Sequence, residues 1–587
     1  MRTNRKTEEK KMSMNKNIAR LAVTAGLTAA LSFGGVMVPA TMAFATTLNN
    51  RITIKQNAEN TDATNPNRKT QFVAYQIFNA KVVDGTSASD KVVSDVAWAK
   101  NVTDATQASI INAIKQSAGY DSSKSKLPED KTPTAQDVAD WMADNLQDAS
   151  WVVNNGDLLD TIADLVKGIT PAMPRGASSA AFAADDTSIS FKNSGYYLFL
   201  TDDSSIGTKD SYSELRQTGT SPIFAVVGGS AVEVTEKTGI PTVTKKIKDD
   251  KPGAGWADKA DSQVGQDVKY QLTGTVAENV ASFDSYYYEF HDELSAGLTV
   301  TDASIKVFAG SDRASAVEIT SGFTPEVKNA ENGAGQTLTV KFDNLKLAVA
   351  NLSSSTKIFV EYTAQLDPNK AVVGGEGNEN TVKLIYSNNP MSDGKGESVP
   401  DTVRDYTYAL RLVKEDSASE TTKLEGVMFT IQATGADEGD GTQFVQQDGS
   451  LGSAAHEFAT DTKGEINIKG LDAGTYTVKE THTLDGYNTL PGFTFTIATD
   501  EGDLGKTEEQ GATLTVNASK DGSNLVLAPS FDNGTVTLTV QNKKGSGLPL
   551  TGLNGVTFTW IAGGAVLCIG VAHLIRSRKQ AEESEQE

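Results

Sequence analysis

The chain has 587 residues, too many for one domain at the usual size of roughly 100–200 residues each. Its net charge is −22, and no basic patch interleaved with aromatics is present, which excludes a nucleic-acid partner. The one cysteine, Cys568, excludes disulfides and cysteine-based metal sites, and no cofactor motif stands out.

In chain order, Arg2, Arg5, Lys6, Lys10, Lys11, Lys16 and Arg20 precede the apolar segment Leu21–Val38, and Ala43-Phe44-Ala45 fits a small-x-small cleavage site. Residues 1–45 therefore read as a secretory signal peptide cleaved after Ala45, with an uncleaved anchor helix as the competing reading. A first domain is expected over residues 46–238. Arg51–Ile54 and Phe72–Phe78 read as strands, and Thr134 with Asp137 forms a capping box. Val138, Trp141, Met142 and Leu146 make one helical stripe, and Leu158, Ile162, Leu165 and Val166 a second, ending at Gly168. Strands return at Gly195–Leu200 and Ile223–Val227, so this domain is β with a helical insertion.

A second domain, residues 239–400, reads as strands throughout: Thr242–Ile247, Asp267–Thr273, Tyr286–Leu294, Leu338–Phe342, Lys357–Ala364 and Asn380–Tyr386. A third, residues 401–545, has strands at Tyr406–Lys414, Val427–Gln432, Thr475–Glu480, Phe493–Ile497 and Thr535–Asn542. Its loop Asp437–Gly441 lacks the spacing of an EF-hand and reads as a solvated acidic loop. The fold class is mostly β, in tandem sandwich domains.

Side chains alternate faces along a strand, so residues i and i+2 share one. Lys245 lies between Val243 and Ile247, and Lys414 shares a face with Leu410 and Leu412. By the same parity Asn380 and Asn542 face inward, as do Asp292 and Glu480. Each of the two domains thus places a lysine in its first strand, an asparagine in its last and an acid between. Burial lowers a lysine's pKa and frees the amine as a nucleophile, and it raises the pKa of a nearby acid. Attack on the asparagine amide would release ammonia and leave an intramolecular isopeptide bond. A lysine that snorkels to the sheet edge is the alternative.

At the far end, Leu548-Pro549-Leu550-Thr551-Gly552 precedes an apolar run from about Val556 to Ile575, long enough to span a bilayer. Arg576-Ser577-Arg578-Lys579 follow and would stay inside. Residues 546–587 resemble the cell-wall sorting signal of Gram-positive surface proteins. That resemblance implies cleavage between Thr551 and Gly552 by a sortase and transfer of the Thr551 carboxyl to an amine.

The third domain looks like a collagen-adhesin B-type (SpaA-like, prealbumin-like) domain. The carrying residues are Leu412–Asp416, Leu424–Phe429, Gly470–Thr481, Asp485-Gly486-Tyr487 and Val540-Gln541-Asn542. Tyr476–Thr481 resembles the family's E-box, which implies that Glu480 is the catalytic acid. The second domain is similar to the fimbrial isopeptide-forming D2 family through Pro241–Lys245, Asp292–Leu298, Asn380-Thr381-Val382 and Tyr386–Pro390. This carries Lys245, Asp292 and Asn380 across, with Glu289 as the rival to Asp292.

The whole chain resembles sortase-assembled backbone pilins of the SpaA/FimA type, whose domains are immunoglobulin-like (Cna-type) sandwiches. Their pilin motif, Val-x-Val-Tyr-Pro-Lys, corresponds to Val232–Lys237, with Thr235-Glu236 in place of Tyr-Pro. The resemblance implies Lys237 as the polymerisation lysine. It also implies sortase, other pilin subunits and peptidoglycan as partners, host or surface ligands as an adhesive target, and a membrane only for the precursor. Fibre subunit and monomeric wall-anchored adhesin are the two functional readings. A surface hydrolase is disfavoured, because His291, His456 and His482 sit in no nucleophile or metal motif.

Overall fold

In the computed structural model, the central hairpin of the first domain separates two cores by parity. Tyr196, Leu198, Leu200, Phe224 and Val226 pack on one face, toward the helices. Tyr197, Phe199, Ile223, Ala225 and Val227 pack on the other. The hairpin strands, Gly195–Thr201 and Ile223–Val227, are buried along their whole length. They belong to a five-stranded sheet with Gln71–Asp84, Lys91–Trp98 and Ala181–Ala183. Three helices, Asp104–Gln116, Ala135–Asn145 and Gly156–Lys167, cover one face. The Thr134–Asp137 capping box is formed. The first helix was not singled out from sequence; it starts at Thr103, whose hydroxyl caps it, and buries Ile110, Ile111 and Ile114. The other core is closed by a two-stranded parallel sheet, Ile52–Lys55 with Val232–Thr235.

The structure describes residues 50–545, except 61–66, 86–90, 118–119, 121–126, 147–155, 207–216, 302–303, 331–332, 435–442, 501–502 and 504–515. The signal peptide, the Asp437–Gly441 loop, the sorting motif and the apolar run after it lie outside these residues. Among the described residues, no helix is long and apolar enough to cross a membrane.

The second domain is a sandwich of two seven-stranded sheets around one core. One sheet carries Val243–Lys248, Val268–Thr275 and Lys357–Leu366 as neighbours. The other carries Asn378–Ser387, Tyr288–Ser295 and Gly335–Phe342. Alternation is regular: Val268, Tyr270 and Leu272 are buried in the first sheet, and Tyr288, Phe290, Asp292 and Leu294 in the second.

Two sequence expectations change here. The second domain does not stop at residue 400, because Asp401–Tyr406 adds a further strand beside Asn378–Ser387. Asn380 is therefore not on that domain's last strand. Thr407 alone separates Tyr406 from the first strand of the third domain, Tyr408–Asp416. Periodicity could not find this break, since Tyr406 to Leu412 reads as one β-run.

The third domain packs a five-stranded sheet on a seven-stranded one. Its first and last strands, Tyr408–Asp416 and Thr535–Asn542, are parallel neighbours. The joint with the second domain is tight. The Val264 amide donates to the Gly470 carbonyl (3.0 Å), and the Tyr408 hydroxyl donates to Asp261 (3.0 Å). Gly374 and Gly534, both at positive φ, meet back to back, and a Cβ on Gly374 would stand 2.3 Å from the Gly534 Cα.

Candidate functional site

Lys245, Asp292 and Asn380 come together with no solvent exposure. Lys245 reaches across the sandwich from one sheet, while Asp292 and Asn380 project from adjacent strands of the other. The Lys245 ammonium donates to Asn380 Oδ1 (2.6 Å), to the Tyr362 hydroxyl (3.0 Å) and to Asp292 Oδ1. Tyr362 in turn donates to Asp292 Oδ2 (2.6 Å) and accepts from Asn380 Nδ2 (2.9 Å). Tyr270 stacks on Tyr362 at 5.2 Å and walls the site. Glu289, the rival acid, faces the other way and pairs with Tyr287 and His291.

The third domain builds the same chemistry differently. Lys414 and Asn542 are fully buried on parallel neighbouring strands of one sheet, and Glu480 comes from the opposing sheet. Lys414 donates to Asn542 Oδ1 (2.6 Å), and its ammonium lies 3.1 Å from Glu480 Oε2. Asn542 Nδ2 donates to Glu480 Oε1 (2.7 Å) and to the Thr483 hydroxyl (2.6 Å). The Phe429 ring sits 5.5 Å from the ammonium, where the second domain has tyrosines.

In both sites burial pushes the lysine down to about 8, against the opposing pull of Asp292 or Glu480. A neutral amine is therefore within reach near physiological pH. With a carbonyl of about 1.23 Å, the 2.6 Å contacts place each amine roughly 3–4 Å from the amide carbon, the approach range for attack. The protons of an amide exchange could be handled within each site. The carboxylate would take one proton from the ammonium, the amine would add to the amide carbon, and the carboxylic acid would pass that proton to the departing nitrogen. The regenerated carboxylate would then take the second Nζ proton, leaving a neutral amide beside the acid. One Nζ–Cγ bond would form, one Cγ–Nδ2 bond would break, and ammonia would leave.

Tyr362 and Thr483 were not among the sequence candidates. Tyr362 lies on the core-facing register of its strand with Ile358, Val360 and Ala364, and a buried tyrosine hydroxyl demands a partner. That signal was legible. Thr483 follows the Gly474–His482 strand, where parity gives no guide.

Lys237 lies apart from both sites, half-buried just after the Val232–Thr235 strand at the junction of the first and second domains. Among the described residues its ammonium makes no hydrogen bond or ion pair. Leu548–Gly552, with Thr551, falls outside the described residues. Among the described residues, no group of three or more His, Cys, Asp or Glu side chains is arranged to hold a metal ion.

Residues 409–510 match the SpaA family of prealbumin-like fold domains. Over 222 residues the chain is 28% identical to the trypsin-resistant surface T6 protein of Streptococcus pyogenes, a match covering 34% of this chain and 37% of that protein. The chain thus spans little more than a third of that relative. Among solved structures it is similar to the T6 backbone pilin of serotype M6 Streptococcus pyogenes (TM-score 0.46, 16% identity, 84% of this chain and 98% of that one). It is also similar to the full-length major pilin SpaD of Corynebacterium diphtheriae (TM-score 0.40, 14% identity, 84% and 96%).

Proposed function

We propose that this chain is the structural backbone subunit of a covalent cell-surface pilus, stabilised by self-formed isopeptide bonds Lys245–Asn380 and Lys414–Asn542. The observation that carries the reading is the repeated buried lysine–acid–asparagine contact in two successive domains. A lone buried lysine is costly, and in each site the ammonium meets both a carboxylate and the side-chain amide that the reaction would attack. Two such arrangements in tandem suit a molecule whose task is to stay intact under pull. In this reading Asp292 and Glu480 each promote one single-turnover reaction, and the chain is a sortase substrate rather than a turnover enzyme.

Polymerisation joins the Thr551 carboxyl of one subunit to the Lys237 amine of the next, and the terminal subunit is passed to peptidoglycan. Force then enters at Lys237 and leaves at Thr551, so it crosses the second and third domains, the two with ties. The similarity to the T6 surface protein and the SpaA-type domain support the coarser reading of a pilus subunit.

Intact-mass measurement of the folded ectodomain tests the chemistry: one ammonia lost per bond, two in all. A mass equal to the plain sequence would refute both bonds. A ladder of detergent-resistant high-mass species on cells, abolished by Lys237→Ala, supports the fibre. A single band in the unaltered strain favours the monomeric adhesin.

A further inference from the structure

Beside Lys237 lies a buried acid that neither isopeptide site uses. Parity along Val232–Thr235 and onward turns Val234 and Glu236 inward, with exposures of 8% and 2%, and leaves Lys237 half-buried. Glu236 Oε1 accepts from the Asn57 amide (2.9 Å) and from Asn60 Nδ2 (2.9 Å), and Oε2 accepts from the Thr70 hydroxyl (3.0 Å). Asn60 and Thr70 are fully buried. The Glu236 amide donates to the Lys55 carbonyl (2.9 Å), and Asn57 Nδ2 reaches the Thr238 carbonyl (3.2 Å). From the other side, the Lys237 amide donates to Thr220 Oγ1 (2.7 Å), and the Ser221 amide donates to the Lys237 carbonyl (3.1 Å). Ser221 then contacts Ser282 of the second domain at 3.1 Å.

The main chain on both sides of Lys237 is thus held while its side chain keeps part of its surface in solvent. An amine that must meet an acyl-enzyme gains from such pre-organisation, because less freedom is lost on reaching the reactive geometry. An apolar residue at 236 could not gather three donors from the Asn57–Thr70 region. We propose that Glu236 is a positioning residue for amine acceptance by Lys237: a buried buckle fastening the acceptor segment to the start of the first domain. The proposal rests on the reading of Lys237 as the polymerisation lysine.

The test uses the folded ectodomain as amine acceptor, a pilin-polymerising sortase, and a short Leu-Pro-Leu-Thr-Gly peptide as acyl donor, with acylation followed by mass. Glu236→Ala is expected to lower the acceptor rate at least ten-fold while both ammonia losses persist. Glu236→Gln, which retains an acceptor oxygen for Asn57 and Asn60 and an amide facing Thr70, is expected to recover most of it. Wild-type acceptance by Glu236→Ala overturns the proposal, as does failure of Glu236→Gln to rescue. If Glu236→Ala does not fold, Thr70→Val removes one of the three bonds. A several-fold loss at temperatures where that variant is folded supports the buckle, and no loss overturns it. Undiminished acylation of Lys237→Ala would instead sink the assignment of Lys237 itself, leaving the two failures distinguishable.

Discussion

The second and third domains hold the same three functional groups in two different frames. In the second, lysine stands on one sheet, and acid and amide on the other, so a bond there would staple the sandwich through its core. In the third, lysine and amide are neighbours on parallel strands of one sheet, and only the acid crosses the core. Partner spacing in sequence is nearly equal, 135 and 128 residues. The proposed chemistry would therefore require a dry contact between amine, amide and carboxyl, and it would be indifferent to which sheet supplies each. Mechanics is not indifferent. A tie in the third domain would join its first strand to its last, whereas one in the second would leave Thr381–Tyr406 beyond it.

The largest effects should come from the acids. Asp292→Ala and Glu480→Ala leave a buried lysine without its counter-charge, a loss of about 3–5 kcal/mol, and block the bond. Each variant should retain one ammonia by intact mass and melt well below wild type. A normal mass for either would remove that acid from the mechanism.

Asn380→Ala and Asn542→Ala should each retain one ammonia and lose roughly 4–5 kcal/mol by loop-closure entropy. Equilibrium unfolding should barely distinguish the two, given the similar loops. Single-molecule pulling should separate the domains even in wild type. The second domain should release Thr381–Tyr406 as one short step, on the order of 80–90 Å at full extension. The third should release almost nothing. Equal steps from both would erase the mechanical distinction.

In those asparagine variants each lysine stays unbonded, held at about 8 rather than its ordinary 10.5. The folded state then binds fewer protons than the unfolded state between pH 8 and 10.5, so stability rises across that window. The penalty of burying the charge is fully present below pH 8, and the gain should approach about 3 kcal/mol per domain. Urea midpoints measured against pH would show it, and a flat profile would contradict lysine burial. Smallest should be Tyr362→Phe, which removes a hydroxyl that contacts lysine, acid and amide together, whereas Thr483 in the third domain contacts the amide. Time-resolved mass should show slower ammonia loss, on the order of ten- to a hundred-fold, in the second domain alone.

Much of this was legible in the sequence because strand parity is a local rule. Lys245, Asp292, Asn380, Lys414, Glu480 and Asn542 all face the core as alternation demanded. Parity says which face a residue takes but not which sheet its strand joins, so the two frames became visible only with the pairing of strands. Tyr362 was missed because a tyrosine in an apolar register reads as core. The strand Asp401–Tyr406 was missed because Arg404 and Asp405 break its hydrophobic signal. Asp405 is nonetheless fully buried, within hydrogen-bond reach of Tyr270 at 3.4 Å.

The single residue Thr407 between the second and third domains has a further consequence. With Gly374 seated on Gly534 and strands running into one another, there is no slack for a hinge, and the two sandwiches should tumble as one body. A thread of such bodies would resist kinking under sideways flow as well as stretching under tension. Thickening the contact with Gly374→Ala would be felt as a looser, more crooked filament, with its chemical ties intact.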